Sequence, residues 1–451
     1  MSAHVTDARP RRLLGTLDAI AIITGLVIGA GIFRLPSLVA TNSSSETAFY
    51  LYWLAGGAVS IVGALCYCEL ATTYPSAGGD YHFLTRAFGR RMAFLFAWAR
   101  IAVITSGSIA ILGYTFGDYA SNLLRLGPNS SALWAALATL ALTGINLAGL
   151  RETKNTQSLL TLLEVLGVIA VIVTGAILLA PPAASPAPAP AGGQAAVPWT
   201  VGAPMAMLFV LFTFGGWNEG AYLSAELKHR RSILVAMIAS LLAVTVLYLA
   251  VNYAYVRSLG LQGLAGSTTA AADVLQRQFG DAGGKLISLI IAISSLTSIN
   301  ATVLVGARSN YALGRDWRAF RWLGHWDERR DAPRNALIVQ GVVALVLVVA
   351  GAFTDRIETM VNYTMPVFWF FFMMVGIGLF VLRRRDPRTP RPFRVPLYPV
   401  TPLIFIATCA YLLYSSLAYV GNGAWFGAGV LAVGAALLAF DRGRPGPSGS
   451  A

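Results

Sequence analysis

Nine residues near the amino terminus, Gly25-Leu26-Val27-Ile28-Gly29-Ala30-Gly31-Ile32-Phe33, decide how the rest of the chain is read. They lie inside an apolar run long enough to cross a bilayer, where each glycine costs about 1 kcal/mol relative to alanine in a helix. A second interruption of the same kind stands at Phe212-Thr213-Phe214-Gly215-Gly216-Trp217-Asn218. Non-helical backbone at bilayer depth is tolerated only inside protein or beside a water-filled cavity. A half-helix that starts there aims free N–H groups, and the positive end of its dipole, at whatever fills the cavity. The half-helix that ends there offers free carbonyls. Together they suit a carboxylate and an ammonium on one carbon, which is an α-amino acid. Gly25 and Gly29 also satisfy the small-xxx-small pattern of close helix packing, so one break alone keeps two readings open. Two breaks five spans apart favour the binding site, because the second set of five then enters the membrane inverted.

The background around these breaks is a membrane protein's. Of 451 residues 56% are apolar and only 12% are charged, about half the share usual in a soluble domain. Too little polar surface exists to wrap such a chain in water, which disfavours a soluble enzyme, a disordered chain or a disulfide scaffold. Apolar stretches near 20 residues fall at about 15–40, 48–73, 93–120, 132–149, 156–180, 203–227, 232–256, 285–312, 334–353, 358–382, 399–420 and 423–440. The net charge of +13 comes from 33 basic residues, of which 25 fall in loops on the side of the amino terminus and 5 in loops on the other side. That bias puts both termini in the cytoplasm of a cell whose inner membrane the chain spans, and it needs no nucleic acid. Arg9, Arg11 and Arg12 precede a first apolar run too long for a cleaved leader, so the run reads as a retained span.

Six segments follow from this parse. They are a cytoplasmic tail (1–14), a first repeat of five spans (15–180), a Pro/Ala-rich exterior linker (181–202), a second repeat of five (203–382), a cytoplasmic loop with two further spans (383–440), and a second tail (441–451). Residues 271–279 have helical spacing and read as a short surface helix. Cys66, Cys68 and Cys409 all fall inside apolar stretches and read as small buried hydrophobes, with no metal or cofactor implied. Glu69 and Glu226 read as ion-pair partners of neighbouring arginines.

Four segments carry a resemblance. They are Gly29-Ala30-Gly31-Ile32-Phe33 with Pro36, then Tyr67-Cys68-Glu69-Leu70 through Tyr74-Pro75-Ser76-Ala77-Gly78-Gly79-Asp80-Tyr81. Asn146-Leu147-Ala148-Gly149-Leu150-Arg151 with Gln157, and Phe214-Gly215-Gly216-Trp217-Asn218 followed by Glu226-Leu227-Lys228, complete the set. In this order and spacing the chain resembles the amino acid–polyamine–organocation superfamily, and within it the L-type amino acid transporter-like branch. The resemblance implies an all-α polytopic membrane protein of 12 transmembrane helices. Its fold would be a LeuT-like 5+5 inverted repeat with helices 1 and 6 broken, plus two extra helices. It implies that a substrate carboxylate meets the backbone around Ala30, Gly31 and Ile32, that its amine meets carbonyls around Ile28 and from Phe212, Phe214 and Gly215, and that Gly29, Thr213 and Gly216 also belong to the substrate site. Phe212 matches the position of the family's aromatic gate, and Trp217 and Asn218 line the far side of the second break.

Two residues depart from the family's pattern. Glu164 stands in span five where many relatives carry a lysine, and it is a candidate proton carrier or the partner of an arginine. Glu219 follows Asn218 where relatives often have an aromatic or small residue. It is a candidate for a cationic-substrate contact, a proton site or the wall of a vestibule. Ser106, Ser298 and Asn300 are further polar candidates for the cavity or for interhelical hydrogen bonds.

The expected activity is secondary transport of L-amino acids by alternating access, through proton symport or amino acid exchange. The alternatives are a cationic amino acid or polyamine exchanger and a membrane sensor that binds without transport. No nucleotide-binding loop of the Walker type is present, which argues against a primary pump. His4, His82, His229 and His325 are scattered in loops or the tail, so an enzyme is disfavoured. The expected partners are an amino acid as small-molecule substrate, protons and the lipid bilayer, with no nucleic acid.

Overall fold

A computed structural model describes residues 15–148 apart from Ala77, 166–178, 199–420 apart from 226, 230, 328, 329, 331 and 354–356, and 424–440. Glu164, Glu226, Arg151, Gln157, both tails and the segment 181–198 lie outside the described residues.

Helices account for nearly everything described. They run as α1 (Thr16–Val27), α2 (Gly31–Thr41), α3 (Glu46–Thr73), α4 (Gly79–Phe88), α5 (Arg90–Leu123), α6 (Ser130–Ala148) and α7 (Leu166–Gly175). The chain continues through α8 (Trp199–Thr213), a 3-10 helix (Trp217–Ala225), α9 (Ser232–Gly266) and α10 (Ala270–Asp316). It closes with α11 (Arg334–Ala352), α12 (Ile357–Arg385), α13 (Val400–Val420) and α14 (Ala424–Phe440). No strand longer than an isolated bridge occurs among the described residues.

Eight of these helices are long and apolar enough to cross a membrane. Both expected breaks exist, and they explain part of the difference from twelve. The first apolar stretch is split into helices of 12 and 11 residues, and the sixth keeps only 15 before its break. The fifth lies partly outside the described residues, and α14 has 17. Several helices exceed their apolar runs, because a helix carries on into the polar interface as long as its own backbone bonds continue. Thus α9 reaches Gly266 and α10 begins at Ala270, each with one non-helical residue, Gly260 (φ 69) and Gly280 (φ 63).

The segment read as a short surface helix, 271–279, is the opening stretch of α10, set off from the rest by the non-helical Gly280 and exposed along one side. Ala271, Ala272, Val274 and Leu275 are buried, while Gln276 to Phe279 are exposed or partly so. Its apolar face is therefore core.

The packing places the two breaks together. Helices α1 and α2 both lie on α9, α2 also lies on α8, and α3 packs on α8 and α9. Helix α5 packs chiefly on α10 and α6, forming a second group. Glycines let α3 approach closely: a Cβ on Gly57 would meet Thr245 Oγ1 at 2.5 Å, and one on Gly63 would meet Phe405 at 2.7 Å. Dispersion over such close surfaces replaces the hydrophobic drive that lipid removes.

Candidate functional site

The first break spans residues 28–30 and the second 214–216. At the first, Ile28 N still bonds Thr24 O, and the next helix resumes with Ile32 N to Gly29 O and Phe33 N to Ala30 O. Among the described residues, the N–H groups of Gly29, Ala30 and Gly31 have no backbone acceptor. At the second break, Phe214 N bonds Val210 O, Gly215 N bonds Phe212 O, and Glu219 N bonds Gly216 O. The N–H groups of Gly216, Trp217 and Asn218 are left without a backbone acceptor there. Buried backbone donors are nearly always paired, so a group of them points to an absent partner.

The two breaks touch. Gly216 takes φ +104, and a Cβ on it would run into the carbonyl oxygen of Leu26 at the end of α1. A Cβ on Gly31 would lie 3.7 Å from Thr213 Cγ2. Tyr248 of α9, fully buried, donates its hydroxyl proton to Val27 O at 2.8 Å and lies 3.2 Å from Thr213 O. One hydroxyl therefore serves the carbonyl ends of both half-helices.

The glycines differ in what demands them. Gly216 is required by the fold, through both its backbone angle and the Leu26 carbonyl. At Gly31 an added Cβ would make only ordinary contacts, with Leu35 at 3.5 Å and Thr213 at 3.7 and 3.8 Å. At Gly29 the single neighbour is Ser298 Oγ at 3.6 Å. Packing within the protein would accept alanine at both.

Aromatic rings flank the second break on both sides. Phe214, fully buried, packs on Tyr248 at 5.1 Å and on Trp53 at 6.4 Å. Trp217 packs edge-on against Tyr67 at 5.0 Å and Phe372 at 5.6 Å. Phe212 is half-buried against the same core, and Thr213 bonds back to Phe209 O at 2.8 Å. Ile32 is fully buried, and Ala30 and Ile28 are buried in the break itself.

Of the polar candidates, Ser298 faces the first break. Ser106 instead donates to Ile101 O at 2.6 Å within α5, and Asn300 accepts from Asn146 Nδ2 at 2.7 Å. The first bond stays within one helix, and the second stitches α6 to α10. Asn218 donates to Asp80 Oδ2 at 3.3 Å, and Glu219 accepts from Arg100 Nη2 at 2.8 Å. Asp80 entered the sequence reading only as part of a motif and Arg100 not as a site residue, although an arginine inside an apolar span is itself a signal. Tyr248 carried no such signal, since a tyrosine in a long apolar helix is unremarkable. Glu69, fully buried, is paired as expected: it takes both nitrogens of the Arg383 fork, Arg391 Nη1 at 3.3 Å and Val395 N at 2.7 Å. The three cysteines are free and buried, and no group of metal ligands occurs among the described residues.

Known proteins are similar over almost the whole of this chain. The profile of the amino acid permease family matches residues 14–435. The b(0,+)-type amino acid transporter 1 of Mus musculus is 30% identical over 94% of this chain and 86% of its own length. The serine/threonine exchanger SteT of Bacillus subtilis is 29% identical over 92% of this chain and 93% of its own. The large neutral amino acids transporter small subunit 2 of Homo sapiens is 28% identical over 90% and 76%. With two broken helices side by side and eight apolar helices around them, the chain is a multi-pass membrane protein and belongs to the amino acid permease family.

Proposed function

We propose that the chain is a secondary transporter that moves neutral L-amino acids across the cytoplasmic membrane by alternating access, with both termini in the cytoplasm. In this reading it has twelve spans, arranged as two inverted sets of five and two extra helices. The substrate carboxylate takes the free N–H groups of Gly29, Ala30 and Gly31, and its ammonium takes carbonyls at the ends of α1 and α8. Phe212, Phe214, Gly215, Gly216, Trp217 and Asn218 form the opposite wall.

One observation carries the reading. Gly29 and Gly31 have room for a Cβ, yet both positions are glycine beside unpaired N–H groups. Space that protein atoms do not fill, next to donors that no protein acceptor satisfies, suits a ligand that brings its own carboxylate. Neutral substrates are favoured over cationic ones because the Glu219 carboxylate is already engaged by Arg100 at 2.8 Å. The serine/threonine exchanger among the relatives supports exchange as the mode of operation.

Reconstituted full-length protein tests this directly. Proteoliposomes loaded with unlabelled L-serine, L-leucine or L-arginine should take up the labelled counterpart of the first two and not of the third. Absence of counterflow with all twenty amino acids would sink the transporter reading and favour a sensor.

A further inference from the structure

Beside the second break the chain buries one guanidinium among two carboxylates. Arg100 opens a π-helical turn of α5, residues Arg100–Ile104, and is 6% exposed. It donates to Glu219 Oε1 at 2.8 Å and to the Tyr222 hydroxyl at 2.6 Å. Asp80, in the first turn of α4 and 2% exposed, accepts from Asn218 through Oδ2, and the Tyr67 hydroxyl lies against its carboxylate. Its Oδ1 is buried with no hydrogen-bond partner, as are Glu219 Oε2 and Arg100 Nε. A single positive charge cannot balance two ionised carboxylates, and a buried surplus charge is expensive. A proton on one of the orphan oxygens removes the surplus and turns an unsatisfied acceptor into a donor.

We infer that Asp80, beside the Arg100–Glu219 pair, holds one exchangeable proton, whose binding and release govern the hold of α4 and α5 on the helix segment that follows the second break. The inference rests on the transporter reading and supplies its coupling group. Asn218 and Glu219 both lie on the 3-10 helix that begins at Trp217. Movement of that helix must alter its contacts with Arg100 on α5 and with Asp80 on α4 at once. With Asp80 protonated, Arg100 and Glu219 form a balanced pair and the segment is held. With Asp80 ionised, two carboxylates compete for one guanidinium and the hold weakens. The step is proton transfer from water to a carboxylate oxygen, with no other bond made or broken.

The surroundings of Asp80 set the range of pH. Glu219 and Tyr222 face it from the 3-10 helix, Arg100 from α5, and Tyr67 from α3. Helix α12 also packs on α4, but brings its Arg385 to the Arg86 carbonyl at the exposed end. On α4 itself, His82 is kept neutral, pushed down to about 4 by burial and by Arg86. Burial first, and then the negative charge of Glu219, push the Asp80 carboxyl up to about 7 against the pull of Arg100 and of hydrogen bonds from Tyr67 and Asn218. The proton is therefore held below about pH 7 and lost above it.

Counterflow of labelled L-serine or L-leucine in proteoliposomes, with equal pH on both sides from 5.5 to 8.5, tests the assignment. Wild-type rates should change through a midpoint near pH 7, Asp80→Asn should abolish the midpoint, and Glu219→Gln should move it to lower pH. An inward acid gradient should also acidify lumenal pyranine during uptake by the wild type and not by Asp80→Asn. If Asp80→Asn does not fold, the Glu219→Gln shift decides. A wild-type rate that is flat with pH, or a midpoint that both variants retain unchanged, overturns the proton site while leaving transport intact. Loss of counterflow in the wild type at every pH overturns the transporter reading instead.

Discussion

The two helix breaks are alike in sequence and unlike in surroundings. Each is a pair of glycines that frees backbone N–H groups in the middle of an apolar stretch. The first, at residues 28–30, is lined by backbone and by Ser298, and its glycines have room to spare. The second, at 214–216, is wedged against the Leu26 carbonyl, flanked by two aromatic clusters, and followed at once by a buried charge cluster. The first is suited to recognition that every amino acid shares, since only α-carboxylate and α-ammonium meet backbone. The second is surrounded by side chains whose arrangement is particular to this chain.

The sharpest way to break that comparison is Gly216→Ala. A positive φ and a backbone obstruction should together cost on the order of 3 kcal/mol. Thermal unfolding in detergent should show the loss, and wild-type stability would mean that the second break is no more constrained than the first. Gly31→Ala should do the reverse, leaving unfolding within about 1 kcal/mol of wild type because alanine favours helix. Amino acid binding, followed as ligand-induced thermal stabilisation, should weaken at least ~10-fold as the methyl meets the carboxylate. Retained affinity in Gly31→Ala would remove the first break from the substrate site.

Tyr248→Phe deletes the hydroxyl shared by Val27 O and Thr213 O, so it addresses both breaks together. A loss of about 1 kcal/mol is expected, read as a lower unfolding midpoint with a parallel fall in affinity. Stability lost without affinity would show that the hydroxyl braces the half-helices but does not set the site's shape. The smallest effect is expected for Ser298→Ala, a change of roughly 2- to 5-fold in preference between L-serine and L-leucine, of the size of one modest hydrogen bond. An equal loss for both amino acids would instead place Ser298 among the backbone-recognition groups.

Much of the fold was legible because its signals are local. Glycine pairs inside apolar runs foretold where α1 and α8 stop, and the apolar lengths foretold α3, α6 and α11 to within a few residues. The short helix at 271–279 was legible from its spacing, but a short stretch of mixed polarity gives no sign of which neighbour covers its buried face. Likewise Ser106, Ser298 and Asn300 were equivalent polar residues in apolar helices until their partners were seen. Glu219 was recognised as unusual, but its partner Arg100, 119 residues away along the chain, is seen only in the tertiary structure.

By itself the sequence determined that this chain lives in a membrane, where its helices break, and which kind of ligand suits a broken helix. Those follow from composition, hydropathy and the backbone freedom of glycine, all properties of short stretches. Only the tertiary structure decided that the two breaks meet at Tyr248, that Gly216 serves the fold while Gly29 and Gly31 leave space, and that Asp80, Arg100 and Glu219 share one buried cluster. These are distances between residues far apart in the chain, and electrostatics in a low-dielectric interior depends on such distances and on burial.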